Sequence, residues 1–260
     1  MNRRTFVKTT ALGSVAFGIS GLTGRTKTHI LTLSFDDGFK NSFYKVAEIY
    51  ERHGLSACFN VIASGHLPEF KGVDNWILPE LMGNFEDWNG LKSRGHEVMP
   101  HSWKHLNLTK QPLDKAQALI IKCLDYFESN LDGYKASEAV FNFPFNASTP
   151  ELEAFTMSEV LAIRSSGDSP IGQIPQAQKS YRKACWSHGP ENIDQWVEEQ
   201  VNQFLKSPGG WMILNTHGLD NEGWGPMSTV YLETLIARLV KLDQLEIMPT
   251  GKVLQRSIGN

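Results

Sequence analysis

The sequence predicts an α/β domain in which about seven parallel strands close into a (β/α) barrel. Apolar, β-branched segments alternate with segments of helical spacing from residue 29 to residue 248, and most of the links between them are short. Repeated strand–helix units of this kind form parallel sheets. About seven strands in a single domain favour a closed or nearly closed barrel over an open sheet, with functional residues at the C-terminal ends of the strands.

The strands are predicted where apolar or β-branched runs are bounded by turn residues. They are His29–Phe35, Leu55–Ala63, His96–His101, Ala139–Phe145, Leu161–Arg164, Trp211–His217 and Leu245–Met248. Between them, apolar residues recur at helical spacing. The predicted helices are Lys40–His53, Phe85–Arg94, Leu113–Leu131, Glu151–Ser158, Ile193–Lys206 and Thr229–Leu242. Residues 165–190 contain Gly, Pro and Ser and are predicted as one long loop.

The first 24 residues differ from the rest of the chain. No Asp or Glu precedes Asp36, and Arg3-Arg4 stands ahead of a 12-residue apolar run, Ala11–Leu22. That run is too short for a bilayer core of about 30 Å, but it is typical of an export signal. The paired arginines resemble a twin-arginine signal. We therefore expect a signal at 1–24, a catalytic domain at 25–260, export to the periplasm or the cell exterior, and no membrane span after processing. An uncleaved anchor or a disordered tail is the alternative.

Composition limits the classes of partner and site. The chain is 41% hydrophobic and 20% charged, as in ordinary globular proteins. Its 25 basic and 28 acidic residues give a net charge of −3, so no nucleic-acid partner is expected. The three cysteines, Cys58, Cys123 and Cys185, lie far apart and form no paired motif. Any metal site would therefore use His and carboxylate ligands.

Polar residues collect at three predicted strand ends. Asp36 and Asp37 follow the first strand, and two adjacent carboxylates are costly unless they share a cation or a proton. His101 and His105 have a spacing that would place both imidazoles on one side of a helical turn, suited to a single metal ion. His217 ends an apolar strand, where an imidazole could transfer a proton. An Asx turn and structural histidines are the alternative interpretations.

In this order, the three segments resemble motifs of the polysaccharide deacetylase family, the NodB-homology domain of carbohydrate esterase family 4. The matching segments are Ser34–Gly38 (Ser-Phe-Asp-Asp-Gly), His101–His105 (His-Ser-Trp-Lys-His) and Leu214–His217 (Leu-Asn-Thr-His). The resemblance runs from about residue 30 to about residue 250. It implies a distorted (β/α) barrel, usually of seven strands, and a divalent metal, most often zinc. It also implies an acetylated oligo- or polysaccharide as the substrate.

The resemblance also implies roles for individual residues. Asp37, His101 and His105 would hold the metal, Asp36 would be the general base, and His217 the general acid. The family's Arg-x-Pro-Tyr motif is Asn142-Phe143-Pro144-Phe145 here, so its base-tuning arginine is missing. The aspartate that usually tunes the catalytic histidine is replaced by Cys185, and Asp220 or Glu222 is considered as a substitute. Substrate contacts are expected from Pro144, Phe145, Trp186, Leu214 and Trp224, whereas Trp76 is assigned to packing.

The predicted function is metal-dependent hydrolysis of an acetyl group, with an amide C–N bond as the expected target. Asp36 would take a proton from water, the Phe145 N–H would stabilise the oxyanion, and His217 would protonate the leaving group. Two alternatives stay open. One is an O-acetyl xylan-type esterase or another amide hydrolase on the same barrel. The other is a non-catalytic carbohydrate-binding relative, because two polar partners, at Asn142 and Cys185, are missing.

Overall fold

The structure of the protein is a computed structural model that describes residues 27–72, 75–174 and 181–258. The predicted export signal at 1–24 lies outside these residues. The strands are β1 His29–Phe35, β2 Cys58–Val61, β3 Glu97–Pro100, β4 Val140–Asn142, β5 Ala162–Ser165, β6 Ile171–Gly172, β7 Tyr181–Ala184, β8 Gly210–Thr216 and β9 Leu245–Ile247. Among the described residues, no helix combines the length and the apolar character that a bilayer crossing requires.

The helices alternate with the strands, as the periodicity predicts. They are α1 Lys40–Glu51, α2 Phe85–Ser93, α3 Leu113–Asn130, α4 Pro150–Glu159, α5 Ile193–Leu205, α6 Thr229–Leu239 and α7 Thr250–Ile258. Every predicted strand and helix is present, with ends that agree within three residues. The prediction of a continuous loop at 165–190 is wrong, because β6 and β7 lie within it, and α7 is an addition.

Strand β1 is at the centre of the larger sheet and is buried along its whole length. β8 pairs with β1 in parallel over all seven residues and so occupies one edge. Two strands share the other edge of β1. β9 pairs with the first half of β1, at His29–Leu31, and β2 pairs with the end of β1, at Ser34 and Phe35. A strand enclosed in this way is expected to be a nearly continuous apolar run, which is why the sequence pattern located it.

The ladders form two sheets rather than one closed ring. The larger has the order β3-β2-β1-β8-β6, with β9 beside β1, and the smaller has the order β4-β5-β7. Every strand pair is parallel except β6 with β8. The sheets meet at an isolated parallel bridge between Trp186 and Leu214, and where the Asn142 side chain donates to the Pro100 carbonyl at 3.2 Å. The α/β class with a mostly parallel sheet is confirmed; the closed barrel of seven strands is not.

Helix α1 illustrates how the strands are covered. Phe43, Val46, Ala47 and Tyr50 are buried on one face of the helix, as its periodicity predicts. Phe43 stacks on Phe59 of β2 with ring centroids 4.5 Å apart. Burial of an aromatic side chain of this size contributes about 2–3 kcal/mol. Packing of this kind fixes the strands relative to one another, and therefore fixes the positions of the residues that follow them.

Candidate metal and catalytic centre

Strand register brings the polar residues to one edge of the larger sheet. The Asp36 N–H, directly after β1, donates to the Thr216 carbonyl of β8 at 3.0 Å. The His101 N–H, directly after β3, donates to the Val61 carbonyl of β2 at 2.9 Å. His217 is the next residue after Thr216. Because these strands are parallel, their C-terminal ends meet at the same edge, which is where parallel α/β sheets build their sites.

Asp37, His101 and His105 form a buried cluster that could hold a metal ion. One ligand atom from each residue lies within 4.8 Å of the other two. Asp37 Oδ1 is 3.5 Å from His101 Nε2 and 3.4 Å from His105 Nε2. Two imidazoles and one carboxylate leave further coordination positions open, the arrangement that catalytic zinc sites use.

The two histidines converge by a route other than the expected helical turn. Residues 101–105 contain no helical turn, and Ser102 and His105 adopt left-handed backbone angles, with φ of 68° and 54°. The His105 N–H donates to Ser102 Oγ at 3.0 Å, which closes the loop. Asp37 also has positive φ, at 78°. Such angles cost non-glycine residues about 1–3 kcal/mol each and accumulate at functional sites.

The cluster fits a cation on two further grounds. His101 Nδ1 lies 2.9 Å from the Asn142 carbonyl oxygen, which can only accept, so Nδ1 carries the proton and Nε2 presents its lone pair to the cluster. Neither carboxylate oxygen of Asp37 accepts a hydrogen bond from any described residue, although both are buried. Burial favours the neutral form of Asp37, but the positive charge that His105 and His101 carry when protonated outweighs it and holds the pKa of this carboxyl well below its usual range.

Asp36 has a different environment from its neighbour. Its Oδ1 accepts from Asn60 Nδ2 at 2.7 Å and from Arg164 Nη1 at 3.0 Å. Its Oδ2 accepts from Asn215 Nδ2 at 2.6 Å and from Arg164 Nη2. Burial opposes ionisation of Asp36, but the Arg164 guanidinium and His101 prevail, and its pKa lies below the usual value. Asp36 is therefore paired mainly with Arg164, whereas Asp37 faces the two histidines.

Arg164 is the main functional residue that the sequence reasoning missed. It lies on β5 with no exposed surface, and the β4–β5 ladder pairs it directly with Asn142, the position where the family's arginine is missing. Neighbouring strands are about 4.8 Å apart, and paired residues point to the same face. The guanidinium thus reaches Asp36 from the adjacent strand. A charged residue at the end of the apolar run Leu161–Arg164 was the available signal.

Among the described residues, no carboxylate is hydrogen-bonded to His217, which lines the cavity. Its ring meets Trp224 edge-on, with centroids 5.6 Å apart, and its buried Nδ1 has no hydrogen-bond partner among the described residues. Asp220 accepts from Thr229, and Glu222 accepts from the Ser42 N–H, so neither carboxylate is hydrogen-bonded to the imidazole. Burial lowers the pKa of His217, although Asp37 and Asp36 act in the opposite direction.

The centre opens into a cavity of about 300 Å³. Its walls are Asp36, Trp76, His101, His105, Phe145, Asn146, Ser187, Asn215, His217 and Trp224. Of the expected substrate contacts, Phe145 and Trp224 line the cavity. Pro144 and Leu214 are buried residues outside its walls, and Trp186 lies outside it with its indole N–H donating to the Gly167 carbonyl at 2.8 Å. Trp76, assigned to packing from the sequence, does line the cavity.

Comparison with solved structures shows the same fold. A carbohydrate esterase family 4 domain of a xylanase from the hindgut metagenome of Trinervitermes trinervoides aligns with a TM-score of 0.58 at 14% identity, over 88% of this chain and 90% of that one. A Bacillus subtilis peptidoglycan deacetylase aligns with a TM-score of 0.55 at 16% identity, over 88% of this chain and 91% of that one. A family 4 pseudoenzyme from Bacillus anthracis aligns with a TM-score of 0.57 at 15% identity, over 89% of this chain and 66% of that one.

Sequence comparison gives the assignment. A search of curated protein sequences finds no significant match to this chain. The model of the polysaccharide deacetylase family matches residues 23–155, more than half of the 260 residues. The matched region contains Asp36, Asp37, His101 and His105. The chain therefore belongs to the polysaccharide deacetylase family.

Proposed function

We propose that this protein is a zinc-dependent hydrolase that removes the acetyl group from an N-acetylated sugar by cleaving its amide C–N bond. The observation that carries the proposal is one buried grouping. Asp37, His101 and His105 converge within 4.8 Å, while Asp36 and His217 line the cavity beside them. Membership of the polysaccharide deacetylase family supports an acetylated carbohydrate as substrate.

Asp37, His101 and His105 are the residues that would hold the ion. Two neutral imidazoles and a carboxylate suit zinc, and the Asn142 carbonyl fixes the His101 tautomer that ligation needs. When bound, the ion supplies a positive charge that polarises the acetyl carbonyl and makes a nearby water more acidic. The adjacent Asp36 is left for proton transfer, because its own charge is compensated by Arg164.

Asp36 acts as the general base that accepts a proton from the attacking water. The donors Asn60, Asn215 and Arg164 hold the carboxylate in one orientation and keep it ionised in a buried site. These donors fill two acceptor positions on each carboxylate oxygen of Asp36. The Asn60 or Asn215 amide must therefore break its hydrogen bond to the oxygen that receives the proton. Arg164 is a positioning residue for this base and takes the part of the arginine that the family motif carries at position 142.

Phe145 and His217 complete the reaction. The backbone N–H of Phe145 stabilises the oxyanion that forms on the acetyl carbonyl. His217 donates a proton to the sugar nitrogen as the C–N bond breaks, which yields acetate and a free amine. An amine leaving group needs that proton more than an alcohol does, so His217 matters most for an N-acetyl substrate.

The cellular setting completes the proposal. The twin-arginine-like segment at 1–24 supports export to the periplasm or the cell exterior, where acetylated glycans occur. That export route carries folded proteins, so the metal could be loaded before export. We also propose that the two sheets act as one distorted barrel, with the cavity at the C-terminal ends of its strands.

Acetate release from a panel of acetylated glycans tests the proposal. Metal-stripped protein, with and without added zinc, is incubated with N-acetylglucosamine oligomers and with acetylated xylan. Zinc-dependent acetate from the oligomers is expected. Acetate from xylan alone would instead identify an O-acetyl esterase. Sugar binding without any acetate would identify a non-catalytic relative, the class to which the Bacillus anthracis pseudoenzyme belongs.

A further inference from the structure

Two tryptophans from different loops form one wall of the cavity. Trp76 lies in the connection from β2 to α2, and Trp224 in the connection from β8 to α6. Their ring centroids are 6.4 Å apart with the planes tilted by 41°, and both rings line the cavity. Trp224 also meets His217 edge-on, so the wall lies directly beside the proposed general acid.

Tight packing holds Trp224 in place. A Cβ added at Gly189 would lie 3.1 Å from two atoms of its indole, so the ring packs closely against the backbone of that glycine. The same loop is tied to α1, where the Glu222 carboxylate accepts from the Ser42 N–H at 3.0 Å. It is also tied to α6, where Asp220 accepts from the Thr229 N–H at 2.9 Å. The indole is therefore pre-organised before any sugar binds.

Trp76 rests on the same supporting cluster as the Trp224 loop. It packs against a small apolar cluster that includes Phe39, Ile77 and Met82, separate from the main core. Phe39 also supports the other loop, since a Cβ added at Gly223 would lie 2.7 Å from its ring. The two tryptophans are thus supported by one apolar cluster and form a single wall of the cavity.

An aromatic ring also bounds the cavity near the cluster of Asp37, His101 and His105. The Phe145 ring packs against His105 with ring centroids 4.7 Å apart and the planes tilted by 43°. The volume between these walls, about 300 Å³, is at the lower end of small-molecule sites, which span roughly 300–1,000 Å³. Flat aromatic faces suit the apolar faces of pyranose rings. The space suits one pyranose unit with its acetyl group, and the two tryptophans form the wall of that space beside His217.

We propose that the enzyme deacetylates a single sugar unit at the end of a chain, or in a short oligosaccharide, rather than internal units of a long polymer. Trp76 and Trp224 are the specificity-determining residues, because together they block the path of a further unit beside the general acid. This inference rests on the proposed deacetylation and adds the length and position of the substrate unit. It applies to the same cavity and requires no additional site.

The test uses zinc-loaded full-length protein and N-acetylglucosamine oligomers of one to six units. For the wild type, kcat/KM should level off at the disaccharide, and fragmentation mass spectrometry should find the free amine on one end unit only. Calorimetric titration of metal-free protein should give a Kd for the hexamer no tighter than for the dimer. Trp76→Ala and Trp224→Ala should lower kcat/KM on the dimer by roughly tenfold and permit deacetylation of internal units of the hexamer.

Two further variants separate specificity from general damage. Trp76→Phe retains an aromatic face and should keep the preference for an end unit. Leu78→Ala removes an exposed apolar side chain two residues away and should leave the chain-length profile unchanged. Wild-type release of acetyl groups from internal units, or a kcat/KM that rises up to the hexamer, overturns this inference while the acetate itself still supports the proposed function. No acetate from any oligomer overturns both.

Discussion

Replacing Arg164 by methionine is the sharpest test of how this site works without the family's arginine. The substitution keeps an unbranched side chain of similar length and deletes the guanidinium. Asp36 then loses both contacts from Arg164 and retains only the amides of Asn60, at 2.7 Å, and Asn215, at 2.6 Å. Ser34 Oγ also loses a donor at 2.8 Å. A carboxylate remains in the interior without its opposite charge.

The expected cost follows from that geometry. Removing one partner of a buried ion pair destabilises a protein by about 3–5 kcal/mol, because the other charge stays desolvated. In a chain of this size the loss corresponds to a fall in Tm of roughly 6–20 °C. Burial would then favour the protonated form of Asp36, which cannot act as a base, so kcat for acetate release should fall by about 10²–10⁴.

Urea denaturation and acetate release with zinc are the assays, and two variants give the comparison. Arg182→Met on β7 removes a half-exposed arginine bound to Glu153, and should cost less than about 1 kcal/mol with unchanged kcat. Asn142→Arg in the Arg164→Asn background returns a guanidinium to the family position on β4, and should recover part of both losses. The reasoning is refuted if Arg164→Met loses under about 1 kcal/mol and keeps wild-type kcat.

Three further predictions concern the metal, the acid and a distant carboxyl. Zinc at about a hundredfold above its Kd should stabilise the wild type by about 3 kcal/mol, or roughly 6–12 °C in Tm, and Asp37→Asn should abolish this shift in a thermal melt. His217→Ala should lower kcat on an N-acetyl sugar by about 10²–10⁴ but much less on an activated acetate ester; equal losses would contradict the acid role. Burial raises the pKa of Glu97 from 4.5 to about 7, so the unfolded chain releases a proton that the folded chain keeps, and stability should fall by about 3 kcal/mol as the pH rises through that interval. Glu97→Gln cannot ionise and should remove the fall, and urea unfolding at pH 5 and pH 8 would contradict this if both proteins responded alike.

Local patterns were sufficient for most of the secondary structure. β1 was predicted at its observed bounds because a strand enclosed by β2, β8 and β9 is a mainly apolar run, here interrupted only by small or terminal polar residues. The segment Tyr181–Ala184 carries no such pattern: it contains Arg182 and Lys183 and lies at the edge of the smaller sheet. Its strand conformation comes from pairing with β5 rather than from its own composition. Composition alone therefore predicted a loop for residues 165–190.

The site shows the same division between local and long-range information. The positions of Asp36, Asp37, His101 and His217 follow from one rule, that parallel strands end at a common edge. The convergence of His105 was expected for the wrong reason, since left-handed angles at Ser102 and His105, not a helical turn, bring its imidazole back towards Asp37. Trp76 packs against an apolar cluster, as assigned, but it also lines the cavity, which was not foreseen because a loop residue has no periodicity to show which way its ring faces.

Arg164 shows how a motif can lack its arginine while the ion pair with Asp36 is still present. A buried carboxylate at position 36 requires a cationic partner, and the requirement concerns a point in space rather than a place in the sequence. The β4–β5 ladder pairs Asn142 with Arg164, so both positions face that point from adjacent strands. In this chain Asn142 has the smaller task of donating to Asn60 Oδ1 at 2.7 Å, which in turn orients the Asn60 amide towards Asp36. The register of β4 and β5 therefore determines that the positive charge beside Asp36 is moved to the neighbouring strand rather than lost. No single segment of the sequence encodes that register.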